Sequence, residues 1–400
     1  MTATASGGDV VRLHRLTMIP EDDGVMVGRP DIASYALFPT EGAQALRMLD
    51  SGTSLPGVAE WYQQVCGEPL DVDDFLEALD DLRFLRAEGE EKPAEAPVRW
   101  QRLGSWTFSR PAWLCYAALL AAALLAMVRD RSLRPSYHDV FFTDHLALIP
   151  LTMTVVQIPC ILLHEAFHAL SGRRLGLSST LTISRRLYFI VAETRLDSLL
   201  SVDRRKRYLP FLAGMLADTL VFAALTLLAP ALRGHGIPGW CSALCLAGAF
   251  SCVLRLAWQL LFYLQTDLYF VMTNVLRCSD LHNATRHYLR TRLQRLLRRP
   301  VTEPDRDWSD RDQAMARLYA PLLIAGYGFS LGSLLWAGVP TTVHFGTLLV
   351  ARFSSSGNST AGVVDAVSFL GLTALQFALL GYIAVRDRRA RRTSPQGALG

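Results

Sequence analysis

The sequence predicts a polytopic α-helical membrane protein of about six transmembrane helices, preceded by a soluble α+β domain. Three observations predict it. Hydrophobic residues make up 51% of the 400 positions and charged ones 19%, with a mean hydropathy of +0.23, too apolar for a soluble chain of this length. The apolar residues gather into runs near 112–128, 145–170, 208–232, 240–276, 318–338 and 366–385, each long enough to cross a hydrocarbon core about 30 Å thick. Charge is segregated as well: residues 1–98 carry 19 acidic and 7 basic residues, net −12, and residues 99–400 carry 17 and 33, net +16.

The soluble domain is placed at 1–98. It lacks the apolar core of a cleavable signal, so the N-terminus is expected to start in the cytoplasm. Alternating residues at 11–18 and 35–38, with turn signals at Asp23-Gly24 and Arg29-Pro30, predict two strands. Three helices follow. Thr40 is a candidate N-cap for the first, Ser54-Leu55-Pro56 opens the second, and 71–85 carries the third with Phe75, Leu76, Leu79 and Leu82 on one face. A strand pair and three helices suggest a winged-helix-like module. Residues 89–97, rich in Glu, Pro and Ala, read as a linker; within 99–111 and the start of the first span, Trp100, Trp106 and Trp113 resemble an interfacial belt.

Residues 112–276 form the expected membrane core. Its last run, 37 residues at 240–276, is too long for one span and must break or leave the bilayer. Basic residues at Arg173-Arg174, Arg185-Arg186, 204–207, 277–299 and 386–392 all fall on one side if both termini are cytoplasmic, with Arg129, Arg131, Arg134, Arg233 and Arg352 as exceptions. Between the second and third spans, 180–183 and 187–191 alternate like a hairpin that turns at Ser184-Arg185-Arg186, with Thr180, Ile183, Leu187 and Val191 as candidate substrate-binding positions. Residues 277–317 form a basic cytoplasmic segment in which Leu289, Leu293, Leu296 and Leu297 suit a surface helix lying on anionic headgroups. A C-terminal transmembrane pair and basic tail occupy 318–400. The seven cysteines include no CxxC and read as packing residues.

The chemistry is concentrated at His164-Glu165-Ala166-Phe167-His168, an HExxH motif within an apolar run. Residues four apart share a helix face, so both imidazoles reach one metal ion while Glu165 faces what the metal binds next. Ionisable groups at the centre of a span cost at least ~2.5 kcal/mol each, and they persist where they bind, pair or catalyse. The alternative is two histidines that satisfy each other.

A catalytic zinc takes three protein ligands and leaves one position open. His164 lies nine residues before Arg173, and Asp267 ten before Arg277 on a span of the same direction. At 1.5 Å per residue both sit roughly 14–15 Å above the inner boundary. Asp218, eleven residues after Arg207, lies roughly 16 Å deep on the antiparallel span between them. Asp267 is ranked as the third ligand, and Asp218 as a residue behind the ligands or a structural one. The alternatives left open are that Asp267 only caps a break near Gln265-Thr266, and that Asp218 pairs with Arg255, expected some twelve residues farther out than Asp267.

The run Leu163-His164-Glu165-Ala166-Phe167-His168-Ala169-Leu170, followed by Arg173-Arg174-Leu175-Gly176, resembles the site-2-protease-type intramembrane metalloproteases, peptidase family M50. Thr266-Asp267-Leu268-Tyr269-Phe270 looks like the Thr-Asp-Gly-Tyr variant of that family's Asp-ligand motif in a bacterial branch, with Leu268 in place of Gly. Ala213-Gly214-Met215-Leu216-Ala217-Asp218 is similar to the small-residue motif on the intervening span, with Met215 where Pro is common. The likeness covers roughly 145–290. Residues 1–98 look like the PqqD-like leader-binding domains that accompany such proteases in bacterial clusters making modified peptides. In those domains a leader peptide adds to the sheet edge.

The resemblance implies a zinc endopeptidase with Zn2+ held by His164, His168 and Asp267 and with Glu165 as general base. It would hydrolyse a peptide bond in a ribosomally synthesised, modified precursor. The implied place is a bacterial cytoplasmic membrane, and the implied partners are the precursor, a leader bound by 1–98, and the bilayer. Nucleic acid is not expected, because net −12 offers no basic face for phosphates. A protease releasing a membrane-tethered regulator is the near alternative, and a non-enzymatic export or immunity protein the distant one.

Overall fold

The computed structural model describes residues 11–393 other than 22–23, 33, 88–89, 91–97, 144, 146, 187–188, 197, 234–236, 279, 301–307, 334, 336–342, 344–346 and 348–359. The chain divides into two compact units. One comprises Met1–Ser105, Gly172–Thr180 and Arg195–Arg207; the other comprises Trp106–Ser171, Leu181–Thr194 and Tyr208–Gly400.

Three strands open the first unit. β1 (Thr17–Glu21), β2 (Gly24–Arg29) and β3 (Ser34–Phe38) form an antiparallel meander in that order, with Thr17 opposite Gly28 and Met26 opposite Leu37. The expected strand at 11–18 is corrected: the meander begins at Thr17, and ahead of it Leu13 bridges to Leu85. The central strand β2 went unpredicted because Asp23-Gly24 and Arg29-Pro30 at its two ends read as turns. Gly28 is needed there, since a Cβ would meet the Tyr35 ring at 1.9 Å. Val25 and Val27 point from β2 into a core completed by Leu46, Leu49, Val58, Leu79 and Phe84.

The helices are α1 (Thr40–Asp50), α2 (Leu55–Cys66) and α3 (Val72–Asp81). Thr40 is the first residue of α1 and not its cap; Pro39, extended at ψ 154°, takes that place and already turns the chain. Ser54 precedes α2 with Pro56 in its first turn, as expected. Asp71 caps α3 by accepting from the Asp74 N–H at 3.1 Å. The helix stops at Asp81 and not at 85, because Arg83 turns left-handed at φ 56° and Leu85 pairs with Leu13. The turn Leu199–Ser201 packs on β1 and β2 within this unit. It is secured by Ser198 Oγ donating to the Pro30 carbonyl at 3.0 Å, and by Glu21 paired with Arg204 and, at 2.8 Å, with Arg207.

A short helix, α4 (Gln101–Thr107), leads into the membrane-like part. Four helices among the described residues are long and apolar enough to cross a membrane: α5 (Arg110–Arg129), α6 (Leu148–Arg174), α7 (Arg204–Ala231) and α8 (Gly239–Trp258). The fourth run does break. After α8 come a 3₁₀ turn, Phe262–Leu264, and α9 (Asp267–Leu276). Gln265 is left-handed at φ 55°, Thr266 Oγ1 donates to the Gln259 carbonyl at 2.7 Å, and the Asp267 N–H donates to Gln259 Oε1 at 2.9 Å.

Further along lie α10 (Leu281–Leu296), α11 (Asp310–Ser333) and α12 (Thr360–Thr393), the last two covering the fifth and sixth apolar runs. The hairpin pairs β4 (Thr180–Arg186) with β5 (Phe189–Arg195). Ser184-Arg185-Arg186, the expected turn, continues β4 instead, and β5 begins at Phe189. Leu187, nearly all of the 89–97 linker and most of the outer segment 340–365 lie outside the described residues.

Candidate metal centre

On α6 the four-residue spacing places the rings of His164 and His168 together, with Nε2 atoms 3.2 Å apart and both residues buried. Phe167, between them in sequence, packs edge-to-face on Phe108 with centroids 5.9 Å apart, which steadies the helix's other face. Across from the rings runs the backbone of α7 at Gly214. A Cβ there would lie 2.3 Å from His168 Nε2 and 2.4 Å from His164 Nε2, so only glycine lets this helix come so close. The third group arrives from the start of α9: Asp267 Oδ2 is 3.2 Å from His164 Nε2 and 3.3 Å from His168 Nε2.

The protons can be assigned from the partners. His164 Nδ1 faces Asp218 Oδ2 at 3.0 Å, and a carboxylate only accepts, so Nδ1 donates. His168 Nδ1 likewise donates to the Pro210 carbonyl at 2.7 Å. In its neutral form each ring then presents a lone pair at Nε2. Asp267 Oδ2 is buried and makes no hydrogen bond to either ring. With both rings neutral and Nδ1 protonated, three lone pairs converge on one point, an arrangement that a bound cation would relieve. The donor triangle, with edges of 3.2, 3.2 and 3.3 Å, is a face of a tetrahedron whose spokes are ~2.0 Å, within the range of Zn–N and Zn–O bonds. These residues fit a divalent metal.

Asp218 stands behind His164. It is wholly buried, and besides the imidazole it accepts from Arg255 Nε at 3.1 Å and Nη2 at 2.7 Å. Arg255 also donates to Gln157 Oε1. The alternative left open in the sequence, that Asp218 pairs with Arg255, is what the structure has. The break at 259–266 lets Arg255 reach Asp218, which holds His164, while Asp267 reaches the other nitrogen of the same ring.

Glu165 is held by the hairpin. The Thr194 N–H donates to Glu165 Oε2 at 2.7 Å, and Thr194 Oγ1 to the Glu165 carbonyl at 3.1 Å, which lays β5 against α6. Of the hairpin positions singled out, Thr180 and Ile183 are exposed and Val191 is half-buried. The Ile183 carbonyl accepts from Arg386 at 2.7 Å. Sequence reasoning missed Thr194, which has no local signature, and Gln259, one of two amides in the apolar run ahead of Thr266-Asp267.

In comparisons with known proteins, no family model matches the chain, and neither a curated protein nor a solved structure is similar to it.

Proposed function

We propose that this protein is an intramembrane zinc endopeptidase. The observation that carries the reading is the meeting of two Nε2 atoms and a buried carboxylate oxygen within 3.2 to 3.3 Å of one another, beside the glutamate of an HExxH helix. His164, His168 and Asp267 would hold a zinc ion, which when bound would supply Lewis acidity toward a peptide carbonyl and lower the pKa of water to near 7. The chain's own groups do the rest. Glu165 accepts the proton of the attacking water and passes it to the leaving amine, and the Thr194 N–H orients its carboxylate. Asp218 fixes the His164 ring with Nδ1 protonated, and Arg255 offsets the carboxylate's charge. The hairpin offers an edge on which an extended substrate is added as a strand, needed because a helical peptide hides its carbonyls in its own hydrogen bonds.

The proposed substrate is a ribosomally made, modified precursor at a bacterial cytoplasmic membrane, reached through six spans with both termini cytoplasmic. The N-terminal meander and three helices, with their acidic balance, support a winged-helix-like module that recognises a leader peptide and not DNA. The test is Glu165→Gln, with products from candidate precursor peptides read by mass spectrometry in detergent. Glutamine keeps size and reach but loses the base, so cleavage should fall by at least ~10²–10⁴-fold while zinc stays bound. Cleavage at the wild-type rate would reject the mechanism and favour export or immunity.

A further inference from the structure

α10 and α11 pack along one another and enclose a cleft of about 400 Å³, remote in sequence from the HExxH helix. Its walls follow from helix periodicity. Ala284, Tyr288, Thr291 and Arg295 recur at three and four residues along one stripe of α10, and Gln313, Ala316 and Arg317 face them from one turn of α11. The buried alanines 284 and 316 leave the space that larger residues would fill.

The cleft collects positive charge without answering it. Arg292, Arg295 and Arg317 all line it, and no carboxylate does. Arg292 is spent only on the face of Tyr288, with 5.4 Å from guanidinium to ring centre, and among the described residues none of the three arginines has an acidic partner. Two of the acids nearby in sequence, Asp280 and Asp312, are committed elsewhere. Asp312 accepts from the Asp280 N–H and from Ser309 Oγ, and Asp280 accepts from Asn283 and from Trp308 Nε1. That last bond, with Gln313 donating to the Trp308 carbonyl at 3.0 Å and the His287 ring 5.0 Å from the indole, fixes Trp308 as an aromatic wall.

We propose that this cleft binds a phosphate-bearing ligand. Three guanidinium forks and the Thr291 hydroxyl suit the several oxygens of a phosphate, and arginine is the side chain whose planar fork matches them. Tyr288 and Trp308 flank the group the phosphate carries, and the volume admits one headgroup or small ester but no polymer. Such a ligand comes either from an anionic phospholipid or from solution.

The experiment uses the full-length protein in detergent. Native mass spectrometry with equimolar phosphatidylglycerol and phosphatidylcholine reads the lipid source, and calorimetric titration with inorganic phosphate and glycerol phosphate reads the soluble one. We expect about one ligand per chain in one of the two arms. Replacing Arg292, Arg295 and Arg317 together by Gln should weaken it roughly a hundredfold, at about fivefold per arginine. The matched loss of charge at Arg286, Arg290 and Arg299 should change it less than threefold. All three arginines are exposed, so the variant removes no core contact; the same three positions changed to Lys provide a second, charge-preserving variant that should recover part of the affinity. Equal losses in the two Gln triples, which would mean diffuse surface attraction, or no retention of any phosphate-bearing probe above phosphatidylcholine, would overturn the proposal.

Discussion

Asp218 and Asp267 stand at opposite nitrogens of the same imidazole, His164, and what else reaches them differs completely. Asp218 is wholly buried and saturated, accepting two bonds from Arg255 and one from the ring. Asp267 is the more exposed, with 21% of its side chain accessible, yet its Oδ2 has no hydrogen-bond partner at all. A buried charge costs several kcal/mol unless it is paired and hydrogen-bonded. For Asp218 the chain supplies the compensation itself; for Asp267 it supplies the two imidazoles, and a bound cation would complete the compensation. The lesson is that the informative carboxylate in a membrane interior is the one left unanswered, not the deepest.

Removing the answer to Asp218 should have the largest effect on stability. Arg255→Met strands a carboxylate with no exposed surface, which typically costs about 3–5 kcal/mol, and the thermal midpoint in detergent should fall accordingly. The double variant with Asp218→Asn should recover much of that loss, since the stranded charge is gone. Equal midpoints for Arg255→Met and wild type would show that Asp218 does not depend on this arginine. Asp218→Asn alone sharpens the contrast, because it disturbs only what stands behind a ligand. Zinc affinity by competition with a chelator should drop about 10–100-fold, with the site still formed.

The smallest effect concerns an imidazole held less tightly, with His14 Nε2 3.5 Å from a Glu90 carboxylate oxygen. His14 is buried in the N-terminal unit, and burial together with the nearby Arg29 holds it below the usual 6.5. The unfolded chain therefore binds the proton more readily, so this contribution to stability is full above pH 6.5 and is lost as the pH falls below it. The unfolding midpoint of that unit should decline from pH 7.5 to pH 5.5, and His14→Leu should flatten the decline. A midpoint that rises on acidification would have the sign wrong.

Much of the site was legible because it rests on local rules. The four-residue spacing of His164 and His168 puts two rings on one helix face. Equal distance from a basic boundary put Asp267 at their level, and a 37-residue apolar run had to break somewhere. What escaped notice was set by tertiary approach. Thr194 reaches Glu165 because a strand lies on a helix. Gln259 reaches the Asp267 N–H only once the helix has broken, and where within 240–276 it breaks had no signature in sequence. In the N-terminal unit the central strand hid between two turn signals, and one of its glycines exists to seat Tyr35.

The most direct test is the metal content of the purified protein by mass spectrometry, compared with its Asp267→Ala and Asp218→Asn variants. The account requires about one zinc per chain in the wild type, strongly reduced occupancy in Asp267→Ala, and most of the metal retained in Asp218→Asn at saturating zinc. Full zinc in Asp267→Ala together with its loss in Asp218→Asn would exchange the two carboxylates' roles, and no zinc in any of the three would contradict the metal centre itself.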